Sequence, residues 1–312
     1  MNRMLKFLIR ALVVVFVLLN VIVAFHAYKF THFYNNSEIN IKKAGDKTSW
    51  DKTKEILFGI NAAKKKNNIT TDSTFKTIYL KTKDSLKLEA WYIPAESAAG
   101  TVILFHGHGG NKSDIYKEAE SFKKMGYTTL VDFRAHGNSE GNTCTIGYDE
   151  TEDVKLAYDY ISNQGEKNIV LWGISMGAST IAKAVKDYKL EPKKIILEMP
   201  FGTIEDAVKS RIKMMGLPPQ PIATLLTFWG GTEHAFWAFG MKPQEFAKNI
   251  TCPVLLQWGK NDTRVSKAEE EILFKNIPNP NKKMVIYENT GHESICKKEP
   301  EKWEAEVSAF LK

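Results

Sequence analysis

The chain has 312 residues, 43% of them hydrophobic and 25% charged, enough apolar material to bury a large core in one big α/β domain or two smaller ones. Its net charge of +7 is mostly scattered lysine, with no basic stripe interleaved with aromatics, which argues against nucleic-acid binding. The three cysteines, Cys144, Cys252 and Cys296, are odd in number and widely spaced, which excludes a disulfide framework and any Cys-x-x-Cys zinc site.

In residues 11–25 Asn20 is the only polar residue, and about 19 residues from Phe7 carry one charge, that of Arg10, whose stem is long enough to snorkel to headgroups. Residues 1–27 are therefore predicted to hold one N-terminal transmembrane helix acting as a membrane anchor. A cleaved signal peptide is the competing reading. Phe25 and His26 disfavour cleavage after Ala27, while Ile22-Val23-Ala24 is a tolerable site. Arg3, Lys6 and Arg10 favour a cytoplasmic N-terminus with the bulk of the chain across the membrane, a bias that Lys29, Lys42 and Lys43 weaken.

Residues 28–72 read as a juxtamembrane segment, with a polar spacer at 34–38 and a helix from Trp50 to Lys66 started by Thr48 and Asp51. Its apolar face, Ile56, Leu57, Phe58 and Ile60, is expected to pack on the following domain; Lys64, Lys65 and Lys66 leave a headgroup contact open.

From Phe75 onward, strands and helices alternate. Residues 75–81 and 86–93 flank Lys83-Asp84-Ser85 and predict an antiparallel hairpin. Short apolar strands follow at 101–105, 127–133, 168–172, 194–197, 253–258 and 283–287. Helices are predicted over 113–125, 150–164, 178–188, 266–275 and 300–312. This alternation implies an α/β fold with a mostly parallel eight-stranded sheet and helices on both faces. Functional residues of such sheets lie beyond the strand C-termini.

Several signals fall there. Gly173-Ile174-Ser175-Met176-Gly177 stands between a strand and a helix, the setting of a nucleophile elbow. The sharp turn strains the serine and leaves no room for side chains two positions either side. The helix that starts there aims free N–H groups at the serine. His106-Gly107-His108-Gly109-Gly110 follows the strand at 101–105. The loop Asp132-Phe133-Arg134-Ala135-His136-Gly137-Asn138-Ser139 follows the next strand. Gly259 to Val265 carries Asp262, and Asn289 to Glu293 carries His292. Ser175, Asp262 and His292 follow the Ser, Asp, His order of a catalytic triad on this architecture. Glu198, at the end of the 194–197 strand, is a rival third member, and Asp262 is preferred to it.

On these motifs the chain resembles an α/β-hydrolase from about Phe75 to its C-terminus. It is most similar to membrane-anchored serine hydrolases of the Bem46-like and serine aminopeptidase-like type, through His-Gly-x-Gly-Gly at 106–110 and Asp-x-Arg-x-His-Gly-x-Ser at 132–139. The resemblance implies a hydrolase domain over 73–312, with Ser175 as nucleophile, His292 as general base and then acid, and Asp262 as its orienting carboxylate. It implies oxyanion donors in the backbone N–H groups of Met176 and His108, and it requires no metal and no organic cofactor. The family's substrates include esters, thioesters and amides. An esterase is the leading reading. An aminopeptidase is the alternative, with Glu198, Glu205, Asp206 or Glu233 as the anchor for a substrate amine. A membrane-tethered scaffold protein is the reading outside enzymes. His106, the His108 ring, Asp132, Arg134 and His136 are expected to shape their loops.

Between 200 and 250 the alternation stops, and the aromatics there are too apolar for a loop. A helical lid over the catalytic face is expected, with Phe201, Phe228, Trp229 and Trp237 lining an acyl or aromatic pocket or packing the lid on the core. Glu233-His234 lacks a second histidine at metal-ligand spacing.

Overall fold

The computed structural model describes residues 2–35, 48–69, 75–93, 98–127 and 129–312. The chain opens with α1 (Arg3–Thr31), 29 residues long, whose most apolar 18-residue stretch has a mean hydropathy of 2.8, long and apolar enough to cross a membrane. Asn2 caps it, and its first half stands free of the rest of the protein. Two residues later β1 (Phe33–Tyr34) pairs in parallel with β2 (Ala62–Ala63). The expected spacer at 34–38 falls largely outside the described residues.

Between β1 and β2 lies α2 (Ser49–Phe58), opened by a capping box of Thr48 and Asp51. It ends eight residues short of the predicted Lys66. Gly59 there takes φ +76°, a left-handed conformation that stops the helix. The residues beyond it are drawn onto the loops at 106–114 and 132–139 instead: the Asn111 side-chain amide donates to the carbonyls of Lys65 and Lys66 at 3.1 and 2.9 Å, and Asn67 donates to Asp132 at 2.9 Å. Lys64 bonds the Ser139 carbonyl and Lys65 pairs with Asp114, so both charges are engaged by the domain surface.

The main sheet has eight strands in the order β10-β9-β8-β7-β5-β6-β4-β3. The hairpin of β3 (Lys76–Lys81) and β4 (Lys87–Tyr92) forms its antiparallel edge. The parallel remainder comprises β5 (Thr101–Phe105), β6 (Thr129–Val131), β7 (Ile169–Ile174), β8 (Lys194–Glu198), β9 (Val254–Gly259) and β10 (Lys282–Tyr287). All five residues of β5 are buried and β7 is nearly so, as strands covered on both faces require.

One face carries α4 (Thr151–Asn163), α5 (Met176–Tyr188) and α9 (Lys267–Asn276), packed through Ile161, Ala178, Ile181 and Leu273. The other carries α3 (Tyr116–Lys124) and α11 (Pro300–Leu311), where Phe122 meets Trp303 edge-on at 5.4 Å. A short α10 (Ile295–Lys298) precedes α11. The insertion after β8 folds as α6 (Ile204–Met214), α7 (Ile222–Glu233) and the single-turn α8 (Pro243–Phe246). Its α7 lies against α1. This contact ties the insertion to α1 as well as to the sheet.

Candidate active site

The strand β7 runs directly into α5, and Ser175 at the junction takes φ +53°, ψ −115°. The flanking glycines make that turn possible. A Cβ on Gly177 would lie 2.3 Å from the Phe105 carbonyl oxygen, and one on Gly173 would lie 2.6 Å from the Gly177 carbonyl carbon. The Ser175 N–H donates to the Glu198 carbonyl at 2.7 Å, which ties the elbow to β8. Met176 is the first residue of α5, so its N–H has no intrahelical acceptor. Gly107, just before His108, sits where a Cβ would touch the Ser175 Cβ at 3.5 Å.

Three loops from separate strands converge here. The Ser175 hydroxyl lies 2.8 Å from His292 Nε2, and His292 Nδ1 lies 2.7 Å from Asp262 Oδ2. A carboxylate only accepts, so Nδ1 carries the ring proton and Nε2 is left to accept from the serine. The other Asp262 oxygen accepts from the N–H groups of Arg264 and Val265 at 2.7 and 2.9 Å, and the side chain is fully buried. Its orientation is thus set by its own loop.

Glu198 points elsewhere. Its Oε1 accepts from the indoles of Trp172 and Trp303 at 3.0 and 2.6 Å and from Gln257 at 3.1 Å. Burial, with Glu118 adding to it, pushes its pKa up to about 8.

The glycine-rich loop is held by its histidines. His106, fully buried, bonds the Gly107 carbonyl through Nδ1 and accepts the Phe133 N–H at Nε2. His136 accepts the Gly109 N–H at 3.0 Å, with its other nitrogen on the Arg134 carbonyl. Burial lowers the pKa of both rings. Asp132 accepts from the Lys112 and Asn138 amides at 2.6 and 3.1 Å, and Arg134 is bonded to Asp153 and Glu152. The His108 ring stacks on Phe30 of α1 at 4.7 Å, and burial with Arg211 next brings its pKa down to about 3.

A cavity of about 450 Å³ opens over Ser175 and His292. Its lining corrects the expectation for the lid: Phe201, Phe228, Trp229 and Trp237 do not contribute to it. Phe201 is buried in the core, its N–H bonded to Ser179. The Trp229 indole donates to Asn20 of α1 at 3.1 Å, Phe228 stands edge-on to it, and Trp237 is 67% exposed beside Phe239. What reaches the cavity from the lid is Arg211 of α6, and Arg264 joins it from the Asp262 loop. Lys297 and Lys298 line it as well. Among the described residues neither guanidinium has a carboxylate partner. The Arg211 guanidinium lies 5.1 Å over the Phe30 ring.

Glu205, Asp206, Glu198 and Glu233, the anchors considered for a substrate amine, are likewise absent from the lining. Of the two acids that do line it, Asp114 is paired with Lys65, and Glu293, next to His292, is exposed at the rim. His234 bonds Thr31 of α1 at 2.8 Å. Arg264 was within sight in the sequence, two residues after Asp262. Nothing local marked Arg211 or Phe30.

A family model described as serine aminopeptidase, S33, matches residues 96–232. The Pyrococcus furiosus esterase Pf2001 superposes with a TM-score of 0.66 at 25% identity, covering 80% of this chain and 98% of its own. The chain has the fold of an α/β-hydrolase. Among sequence relatives of this hydrolase, the uncharacterized protein YqkD of Bacillus subtilis is 24% identical over 229 residues, 72% of this chain and 75% of YqkD. The lysophosphatidylserine lipase ABHD12 of Danio rerio is 29% identical over 192 residues, 56% of this chain and 47% of the relative. The hydrolase thus spans about half the length of the ABHD12 relatives it matches.

Proposed function

We propose that the chain is a serine esterase whose substrate carries an anionic group close to the scissile ester. The observation that carries the mechanism is the unbroken relay from Ser175 through His292 to Asp262, at 2.8 and 2.7 Å. His292 Nε2 takes the serine proton as Oγ attacks the carbonyl, and Asp262 stabilises the imidazolium that results. The N–H groups of Met176 and His108 receive the oxyanion, at the positive end of α5. His292 then protonates the leaving alcohol. Water, deprotonated by the same nitrogen, attacks the acyl-serine, and collapse of the second tetrahedral intermediate frees the acid.

The substrate class follows from charge. Two guanidiniums that face one cavity without a carboxylate partner among the described residues favour a phosphate or carboxylate over a lone cationic amine, which weighs against an aminopeptidase. The ABHD12 relatives are named for lysophosphatidylserine, an ester whose headgroup carries a phosphate and a carboxylate and stays net anionic despite its one ammonium. A lysophospholipid is accordingly the first substrate to try.

The test uses the full chain in detergent or vesicles. A fluorophosphonate probe is expected to label it and to fail with Ser175→Ala. Lysophosphatidylserine should be hydrolysed in preference to lysophosphatidylcholine and to a neutral p-nitrophenyl ester. Probe labelling retained in Ser175→Ala would reject the nucleophile, and preference for the choline or neutral esters would reject the anionic substrate.

A further inference from the structure

The anchor helix is covered too soon to hold the domain above a bilayer. A hydrocarbon core of roughly 30 Å takes about 20 helical residues to cross. From Arg3 to Leu18 every side chain of α1 is exposed, and from Leu19 onward other parts of the protein lie on it. The bare stretch rises only about 24 Å at 1.5 Å per residue, and it begins with Arg3 and Lys6. A membrane crossed by α1 therefore extends to residues already packed against α7 and α2.

Asn20 marks the depth. Its Oδ1 accepts from Trp229 of α7 at 3.1 Å, and its Nδ2 donates to the Phe16 carbonyl at 2.9 Å. Inside lipid, polar groups need partners within the protein, and these two bonds supply them. The helix that provides Trp229 suits that place. From Ile222 to Thr232 it carries no charge, only Ala223, Thr227 and Gly231 are buried, and Phe228 is 44% exposed. On another flank of α1, Phe58 of α2 meets Phe25 edge-on at 5.4 Å, and the Ile56 carbonyl bonds His26 at 2.8 Å while its side chain is 69% exposed.

We propose that α7 and the C-terminal end of α2 lie in the same leaflet as the second half of α1, so that the domain is partly sunk in the bilayer and not held off it on a stalk. The partner is the headgroup and acyl-chain boundary of the lipid. The surface runs continuously from the spanning helix into α7 and α2, and the span is too short without them. Apolar side chains and indoles at this level match what membrane interfaces select. The lid helix α6, which places Arg211 over Phe30, packs against α7, so the cavity stands beside the leaflet.

The test places single spin labels on the full chain carrying Cys252→Ser, at Phe228→Cys, Ile56→Cys, Val14→Cys and Glu301→Cys, each variant checked for an unchanged melting temperature. Vesicles of phosphatidylcholine and phosphatidylglycerol are the probe membrane. Labels at 14, 228 and 56 are expected to be broadened by oxygen and protected from an aqueous nickel chelate, with 301 broadened by nickel. Nickel broadening at 228 and 56 equal to that at 301 overturns the proposal. So does an aqueous label at 14, which would mean no span. Spin–spin broadening at 228 without oxygen exposure overturns it too, by showing a second copy over this face.

Discussion

Phe30, near the end of α1, is held between the His108 imidazole, stacked at 4.7 Å, and the Arg211 guanidinium, 5.1 Å above the ring. Phe33 lies against both His108 and His136, at 5.4 and 4.7 Å. The helix α1 thus ends as part of the wall behind the proposed oxyanion loop. Phe30→Ala is expected to lower kcat about tenfold or more while leaving the melting temperature within a few degrees, since small misplacements of a catalytic group are costly. Removing residues 1–47 should cost at least as much. Full activity in the truncated chain would show that the stack is idle.

The relay predicts a graded loss. Asp262→Asn keeps the shape of its loop but presents an amide to His292 Nδ1, and kcat should fall by about 10⁴. Ser175→Ala and His292→Ala should fall to the residual rate. Steady-state kinetics on one ester, with circular dichroism to confirm folding, decide the point, and an Asp262→Asn enzyme near parental activity would exclude that carboxylate.

Arg211 and Arg264 are expected to act on anionic substrates alone. A hydrogen bond to a charged group contributes about 1.5–3 kcal/mol, so Arg211→Gln and Arg264→Gln should each reduce kcat/KM for lysophosphatidylserine by roughly ten- to a hundredfold. Neutral esters should be nearly unaffected. Equal losses on both substrates would mean that the arginines are structural.

Glu198 makes stability depend on pH. Its folded pKa of about 8 lies above the ordinary 4.5 because burial, and then Glu118, disfavour the charge. The folded state therefore holds a proton that the unfolded chain has lost. The stability linked to this group is complete below about pH 4.5 and falls by ~1.4 kcal/mol per unit as pH rises towards 8. Glu198→Gln keeps an amide under the two indoles and should flatten the decline in melting temperature between pH 5 and 8. An identical slope in the variant would refute the assignment.

Much of this protein was legible locally. The elbow needs glycines at 173 and 177 because backbone occupies the space of their side chains, and that requirement is written into five consecutive residues. Strand and helix periodicity reported the sheet with its hairpin edge and the helices covering it. The apolar run of α1 announced itself by length. Each of these depends on near neighbours in the chain, which a sequence displays directly.

Long-range pairing decided the rest. Glu198 ends one sheet strand and Asp262 follows another, and only the packed structure turns one towards two indoles and the other towards His292. The lid aromatics promised an apolar pocket, yet Trp229 was taken by Asn20, more than two hundred residues away in sequence, because a polar group on an apolar helix needs a partner. Gly59 ended α2 and sent the following lysines to the loops at 106–114 and 132–139. Arg211 and Arg264 meet over Ser175 only once the lid is laid on the sheet. Local sequence determined the chemistry the chain can perform, since nucleophile geometry is a property of one turn. Tertiary packing decided which charges surround that chemistry, since a side chain's neighbours across the fold are set by which buried groups find partners.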